Sequence, residues 1–247
     1  MASGDYRQVG ASGDWASTTA LVGHAGNLYA VSGGNVFQLS PWDGQYQKLG
    51  GGGWNPRFLF SSLGRLVSLE ASGTVFTLSP QDGSYEKASG DGAWASTAAA
   101  TAVRDTVLTC GTNGEMWRYR PRFGDYQKLP VQGTWASRLM AATTDGLFTN
   151  ECTLVTIEQS GSMYAIDLAS GAYRQLPGSW PNARAMVGMG GAVYVADASG
   201  GLYAIDVATG NSRQIGNSNG WKTRLFAAVN NQLFSLEESG TIFAVEP

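Results

Sequence analysis

Six tryptophans recur along the chain, at Trp15, Trp54, Trp94, Trp135, Trp180 and Trp221, and an arginine follows four of them closely. Arg57, Arg138 and Arg224 stand three residues on, and Arg184 stands four residues on. The same four copies carry an acidic residue further along, at Glu70, Glu158, Asp197 and Glu237. In the other two copies Thr18 and Thr97 take the arginine's place, and Ser32 and Gly111 take the acid's. A guanidinium within an apolar stretch is costly unless it is paired, so each arginine must have a partner or reach a mouth of the fold, and the co-occurring carboxylate of its own copy is the candidate partner. The chemistry such a set could do is sugar recognition. An indole face stacks on the apolar C–H face of a sugar, and a guanidinium beside a carboxylate offers the donors and acceptors that hydroxyls require. Trp54, Arg57 and Glu70, Trp135, Arg138 and Glu158, Trp180, Arg184 and Asp197, and Trp221, Arg224 and Glu237 are therefore the candidate ligand-binding residues. The same residues admit an architectural reading, in which each tryptophan wedges between repeats and each arginine–carboxylate pair ties neighbouring strands or repeats.

Catalysis would call for paired carboxylates, a nucleophile with a base, or a metal. The sequence contains no HExxH, GxSxG or P-loop motif. Its one histidine, His24, falls in a His24-Ala25-Gly26 segment that reads as a solvated turn. Cys110 and Cys152 are too far apart for a zinc knuckle; they read either as free thiols or as a bridge between neighbouring repeats. Catalytic sites are singular, whereas the distinctive residues here recur, which suits repeated binding. The expectation is a protein that is not an enzyme and uses no cofactor or metal.

A net charge of −3 with basic residues scattered singly argues against nucleic acid as a partner. No apolar stretch approaches the roughly twenty residues that span a bilayer, so membrane insertion is not expected. Met1 to Gly13 is polar and has no basic-then-apolar signal pattern, which reads as a soluble chain with no visible address. The compartment stays open, with non-classical export one route to the outside.

What must position these residues is a repeat. A phrase recurs as GDYRQ at Gly4, GQYQK at Gly44, GSYEK at Gly83, GDYQK at Gly124, GAYRQ at Gly171 and GNSRQ at Gly210. Each copy reads as four short strands, shown best by the second: RFLFSS at Arg57, RLVSLE at Arg65, TVFTLS at Thr74, and a short polar strand of the YQKL kind. An apolar first strand suits a crowded inner position and a polar last strand suits an exposed edge. Ser-Gly and Asp-Gly turns separate the strands. The chain ends on a third strand, TIFAVEP at Thr241, and begins on a fourth, ASGDYRQV at Ala2. The sequence therefore predicts an all-β, six-bladed β-propeller of four-stranded antiparallel blades, with the N-terminal strand completing the last blade and closing the ring. One domain spans 1–247, with blades at about 10–49, 50–88, 89–129, 130–176, 177–215, and 216–247 plus 2–9. Blade four carries a surplus at Asp145 to Cys152, which predicts a lengthened hairpin.

With the GGGW of Gly51 to Trp54, the RFLF after it, and the SGxxYAID of blades four and five, the chain resembles the tachylectin and tectonin-type β-propellers. The resemblance implies a multivalent lectin that engages glycans or glycoconjugates, since many members are lectins of innate immunity or microbial self-recognition. The alternative is a protein–protein interaction scaffold that uses one propeller face and the blade-four hairpin.

Overall fold

The computed structural model describes residues 3–144, 152–216 and 219–247, so the expected blade-four hairpin lies outside the described residues except for Cys152. The described residues form 24 strands in six four-stranded antiparallel sheets, and no helix. The first compact unit, residues 1–95 and 222–247, holds three sheets. Blade one is β2 (Thr18–His24), β3 (Asn27–Ser32), β4 (Asn35–Leu39) and β5 (Tyr46–Gly52). Blade two is β6 (Pro56–Ser62), β7 (Arg65–Glu70), β8 (Val75–Leu78) and β9 (Tyr85–Lys87). Blade six is β22 (Thr223–Val229), β23 (Gln232–Glu237) and β24 (Ile242–Val245), completed by β1 (Tyr6–Val9) from the start of the chain. Tyr6 faces Val245 and Val9 faces Ile242, so the closure expected of the N-terminal strand is present. It leaves β24 with a partner on both sides, which removes an exposed edge.

The second unit, residues 96–221, holds the other three sheets. Blade three is β10 (Thr97–Val103), β11 (Thr106–Gly111), β12 (Met116–Arg120) and β13 (Asp125–Lys128). Blade four is β14 (Ser137–Thr144), β15 (Cys152–Glu158), β16 (Met163–Asp167) and β17 (Tyr173–Leu176). Blade five is β18 (Ala183–Met189), β19 (Ala192–Asp197), β20 (Leu202–Asp206) and β21 (Ser212–Gln214).

Burial follows the hydropathy gradient read from the sequence. The second strand of each blade is almost wholly buried, as in β7 and β23, whereas the fourth is exposed throughout in β9, β13 and β21. Apolar residues of adjacent blades interlock between the sheets. Leu28, Leu39 and Val9 pack with Phe234 and Leu236 in the first unit, and Leu108, Met116 and Leu129 with Met140 and Leu154 in the second. Burying a leucine of this kind stabilises by roughly 1.5–3 kcal/mol, which makes these seams the main cohesive term between blades.

One glycine per blade sets how closely neighbouring blades approach. The glycine between second and third strands has positive φ at every copy, for example 78° at Gly114 and 81° at Gly240. A Cβ on Gly240 would lie 2.3 Å from the Ala16 nitrogen, and one on Gly114 would lie 2.4 Å from Thr134 Cγ2. Only glycine tolerates both that conformation and that contact.

Candidate functional site

The repeated tryptophans serve first as main-chain fasteners. In all six copies the tryptophan N–H donates to the carbonyl of the turn glycine in the preceding blade. The pairs are Trp15 to Gly240, Trp54 to Gly34, Trp94 to Gly73, Trp135 to Gly114, Trp180 to Gly161 and Trp221 to Gly200. Their indoles then meet aromatic edges from the third and fourth strands. Trp15 packs against Phe37 and Tyr46, Trp54 against Phe76 and Tyr85, and Trp135 against Tyr164 and Tyr173, with centroids 5.0–5.7 Å apart and rings near perpendicular. Trp180 meets Tyr203 in the same way at 5.2 Å. The third-strand member has a signal in the sequence that the reading of the tryptophans alone passes over: an aromatic stands three residues after each turn glycine, at Phe37, Phe76, Trp117, Tyr164, Tyr203 and Phe243.

The expected arginine–carboxylate pairing is replaced by a different arrangement. Every first strand shifts register by one residue, between Pro56 and Phe58 in β6 and at the matching place in the other five. The extra residue of this bulge is Arg57, Arg138, Arg184 or Arg224, and its counterparts in blades one and three are Thr19 and Ala98, one residue beyond Thr18 and Thr97. A bulge re-aims its side chain out of the strand's alternation, and Arg57, Arg138 and Arg224 use it to reach main-chain carbonyls far along the chain. Arg57 donates to the Ala95 carbonyl at 3.1 Å. Arg138 donates to the Ala183 and Trp180 carbonyls, both at 2.6 Å, and Arg224 to the Trp15 carbonyl at 3.1 Å.

The glutamates are satisfied within their own blades. Glu158 Oε2 accepts from the Ala136 N–H, and its Oε1 accepts from the Ser137 and Thr156 hydroxyls at 2.7 and 2.9 Å. Glu70 accepts from the Asn55 N–H and Ser68 hydroxyl. Glu237 accepts from the Lys222 N–H and the Thr223 and Ser235 hydroxyls. All three are buried, a setting that such bonds make tolerable for a carboxylate. Asp197, one carbon shorter, bonds instead to its own turn at Ser199 and Gly201.

A second arginine row grips the opposite turns. Arg7 of β1 donates to the Pro41 and Trp42 carbonyls, and Arg174 of β17 donates to the Val207 and Ala208 carbonyls. The junction between blades three and four has neither clasp. Its bulge residue is Ala98, and the residue matching Arg174 is Gln127, which accepts from Arg118 of its own blade. The junction between blades one and two also has neither, with Thr19 and Gln47, but it is joined by other means. His24 Nδ1 and Ser61 Oγ lie 2.7 Å apart, and the Tyr29 hydroxyl donates to the Pro80 carbonyl at 3.3 Å. His24 is thus buried at the end of β2, not solvated in a turn, and burial lowers its pKa. Blade three places Leu108 where blade one has Tyr29.

A cleft of about 710 Å³ opens beside the blade-four turn that a second-row arginine at position 127 would grip, bounded by blades three, four and five. Val103, Leu108, Leu129, Leu168 and Val207 give it apolar walls, and Arg104, Arg118, Arg174, Asp105 and Asp167 give it charge. Asp167 accepts from the Ser170 and Ala169 N–H groups, which hold its carboxyl below the usual carboxylate range. Such an acid stays ionised and is a weak base, suited to fixing the turn. Cys152 lines the cleft, and both it and Cys110 are free thiols. Among the described residues no group of three or more His, Cys, Asp or Glu side chains could hold a metal ion, and no helix is long and apolar enough to cross a membrane.

Residues 15–216 match the family model described as outer membrane protein assembly factor BamB. No curated protein matches the chain. Many solved structures share its fold, which they identify as a β-propeller. A Bacteroides thetaiotaomicron protein of unknown function is 13% identical, with a TM-score of 0.66 over 98% of this chain and 75% of that one. Virginiamycin B lyase from Staphylococcus aureus is 10% identical, with a TM-score of 0.62 over 98% of both chains. YCF48 bound to D1 peptide is 12% identical, with a TM-score of 0.61 over 98% of this chain and 78% of that one. At these identities the likeness is one of fold.

Proposed function

We propose, from the premise that the chain belongs to the outer membrane protein assembly factor BamB family, that it is a non-catalytic protein-interaction scaffold whose binding site is the cleft of the second unit. The observation that carries this reading is an open, apolar-walled and charged cleft beside the blade-four turn, where Gln127 stands in place of a second-row arginine. A site with apolar surface and a few placed polar groups is what a partner's peptide segment requires. That YCF48 is seen bound to a peptide on a similar fold supports the reading. The fold also serves virginiamycin B lyase, so the argument against catalysis rests on the cleft itself. Its Asp167 is committed to turn N–H groups, and its Arg174 to main-chain carbonyls.

The repeated tryptophan, arginine and glutamate residues are proposed as architecture that holds blades in register. Their bonds run to main chain and to buried hydroxyls, which leaves a sugar little to recruit. Photo-crosslinking tests the scaffold reading directly. A benzophenone amino acid replaces exposed Ala169 in the cleft, or Lys48 on blade one as a control, in the cells that make the protein. A discrete adduct from position 169 and none from position 48 is the expected outcome. Equal, diffuse adducts from both would count against it. Retention of defined glycans on an array, lost in folded Trp54→Ala and Arg57→Ala variants, would establish the sugar reading instead.

A further inference from the structure

The turns between third and fourth strands repeat closely enough that an exception stands out in one of them. Four blades carry a short oxygen-bearing side chain at the same place, and it caps the turn. Asp43 accepts from the Gln45 N–H at 3.2 Å and Asp82 from the Ser84 N–H at 3.0 Å. Ser170 accepts from the Ala172 N–H and Thr209 from the Asn211 N–H, both at 3.2 Å. Such bonds are the ordinary chemistry of a turn. Blade three puts Phe123 there, a side chain that accepts nothing and stands 59% exposed. A residue that breaks a local rule at the surface, without filling a core in return, marks a functional position.

The same turn carries arginines that the fold does without elsewhere. Arg118, Arg120 and Arg122 occupy alternate positions along β12 and the turn after it, and all three are exposed. The matching residues are Thr77, Ser79 and Gln81 in blade two and Ala204, Asp206 and Ala208 in blade five, and blades one and four have no arginine there either. The blade architecture therefore does not require them.

Phe123 lies beneath Arg120 at 5.1 Å and Arg122 at 5.9 Å, a cation–π arrangement that holds both guanidiniums over one ring. Asp125 pairs with Arg120 and Glu115 with Lys128, whereas Arg118 donates to the neutral Gln127. Residues 115–128 thus hold four cations against two acids, an excess of two, and from a total of −3 the rest of the chain carries −5. A positive edge on a negative protein is a local field, not a consequence of composition.

We propose that this edge of blade three is a docking surface for an acidic segment of a partner protein, with Phe123 seated against an apolar side chain of that segment. Carboxylates meet Arg118 and Arg122, where guanidinium–carboxylate bonds are strong and directional. Arginine and aromatic residues are what the cores of protein interfaces are enriched in. A long polyanion would run off so short a patch onto negatively charged surface, which favours a stretch of protein over nucleic acid. Apart from Arg118, these residues lie outside the cleft lining, so docking here goes beyond the cleft reading and does not depend on it.

The test reads fluorescein-labelled peptides by anisotropy: one of Glu alternating with Val, and the same peptide with Gln or Lys for Glu. Wild type is compared with Arg118→Gln/Arg122→Gln and with Phe123→Ser, which supplies the kind of cap that blade four has at Ser170; circular dichroism verifies folding. The acidic peptide should bind wild type, weaken as salt rises, and bind each variant roughly ten-fold less tightly. Phe123→Ser should meanwhile match or exceed wild type in urea midpoint, because the turn regains its capping oxygen. Equal binding of the Gln or Lys peptide, or unchanged affinity in the folded variants, would overturn the proposal. A marked fall in the urea midpoint of Phe123→Ser would do so as well, by making Phe123 architectural. Tighter binding of a single-stranded oligonucleotide would overturn it in favour of a generic polyanion site. A crosslink from position 169 that persists while no peptide binds wild type would reject this surface and leave the cleft reading standing. Peptide binding without that crosslink would keep this surface and reject the cleft.

Discussion

At the scale of single residues, guanidinium and carboxylate found separate partners because the main chain supplied them first. A bulged arginine reaches carbonyls of the next blade, and a buried glutamate reaches an N–H and hydroxyls of its own. Glu158 shows the consequence most clearly. In Glu158→Ala the Ala136 N–H and the Ser137 and Thr156 hydroxyls lose their acceptor. Unfolding stability should fall by about 3 kcal/mol, read from urea denaturation, with Glu158→Gln intermediate. Unchanged stability in Glu158→Ala would show that the carboxylate is not architectural. The co-occurrence of these arginines and acids was legible in the sequence, but their partners were not. Spacing along the chain records neither a bulge nor a backbone carbonyl, which every residue carries and no pattern marks.

At the scale of elements, the four-strand units, the Ser-Gly turns and the completion of blade six by β1 were all readable from period-two hydropathy and the circular repeat. The bulge moved the arginine's counterparts to Thr19 and Ala98, because alignment by spacing counts residues and not hydrogen bonds. His24 was misread for a related reason: a His-Ala-Gly turn looks solvated until the neighbouring blade is placed beside it. The ring is buried, edge-on to Tyr29 and bonded to Ser61 across the junction of blades one and two. Burial lowers its pKa from 6.5, so the folded state takes up a proton less readily than the unfolded chain. The stability it contributes is full above that value and is lost as pH falls from 6.5 toward the folded pKa. Against a His24→Gln variant, the wild type's lead in urea midpoint should therefore shrink between pH 7.5 and 5.5. A lead that stays constant across that interval would contradict a neutral, buried His24.

At the scale of the whole molecule, repetition and its exceptions divide the labour. What recurs in every blade, the tryptophan N–H to glycine carbonyl bond, holds sheets together. What differs, the absence of both arginine clasps at the junction of blades three and four, is where the scaffold reading proposes that a partner is received. The resemblance to lectin propellers captured the architecture, because both rest on a glycine-preceded tryptophan and an apolar first strand. It could not report which junction lacks its ties, since that depends on Ala98, Gln127 and Leu108, small or neutral residues that look unremarkable in sequence. Hydrogen exchange read by mass spectrometry, with and without the partner protein recovered by crosslinking from position 169, tests this division most directly. Slowed exchange at residues 103–106, 117–129, 167–174 and 207–208 is the predicted result. Protection confined to the segments that follow the repeated tryptophans, at 54–57, 135–138 and 221–224, with the cleft unchanged, would contradict it.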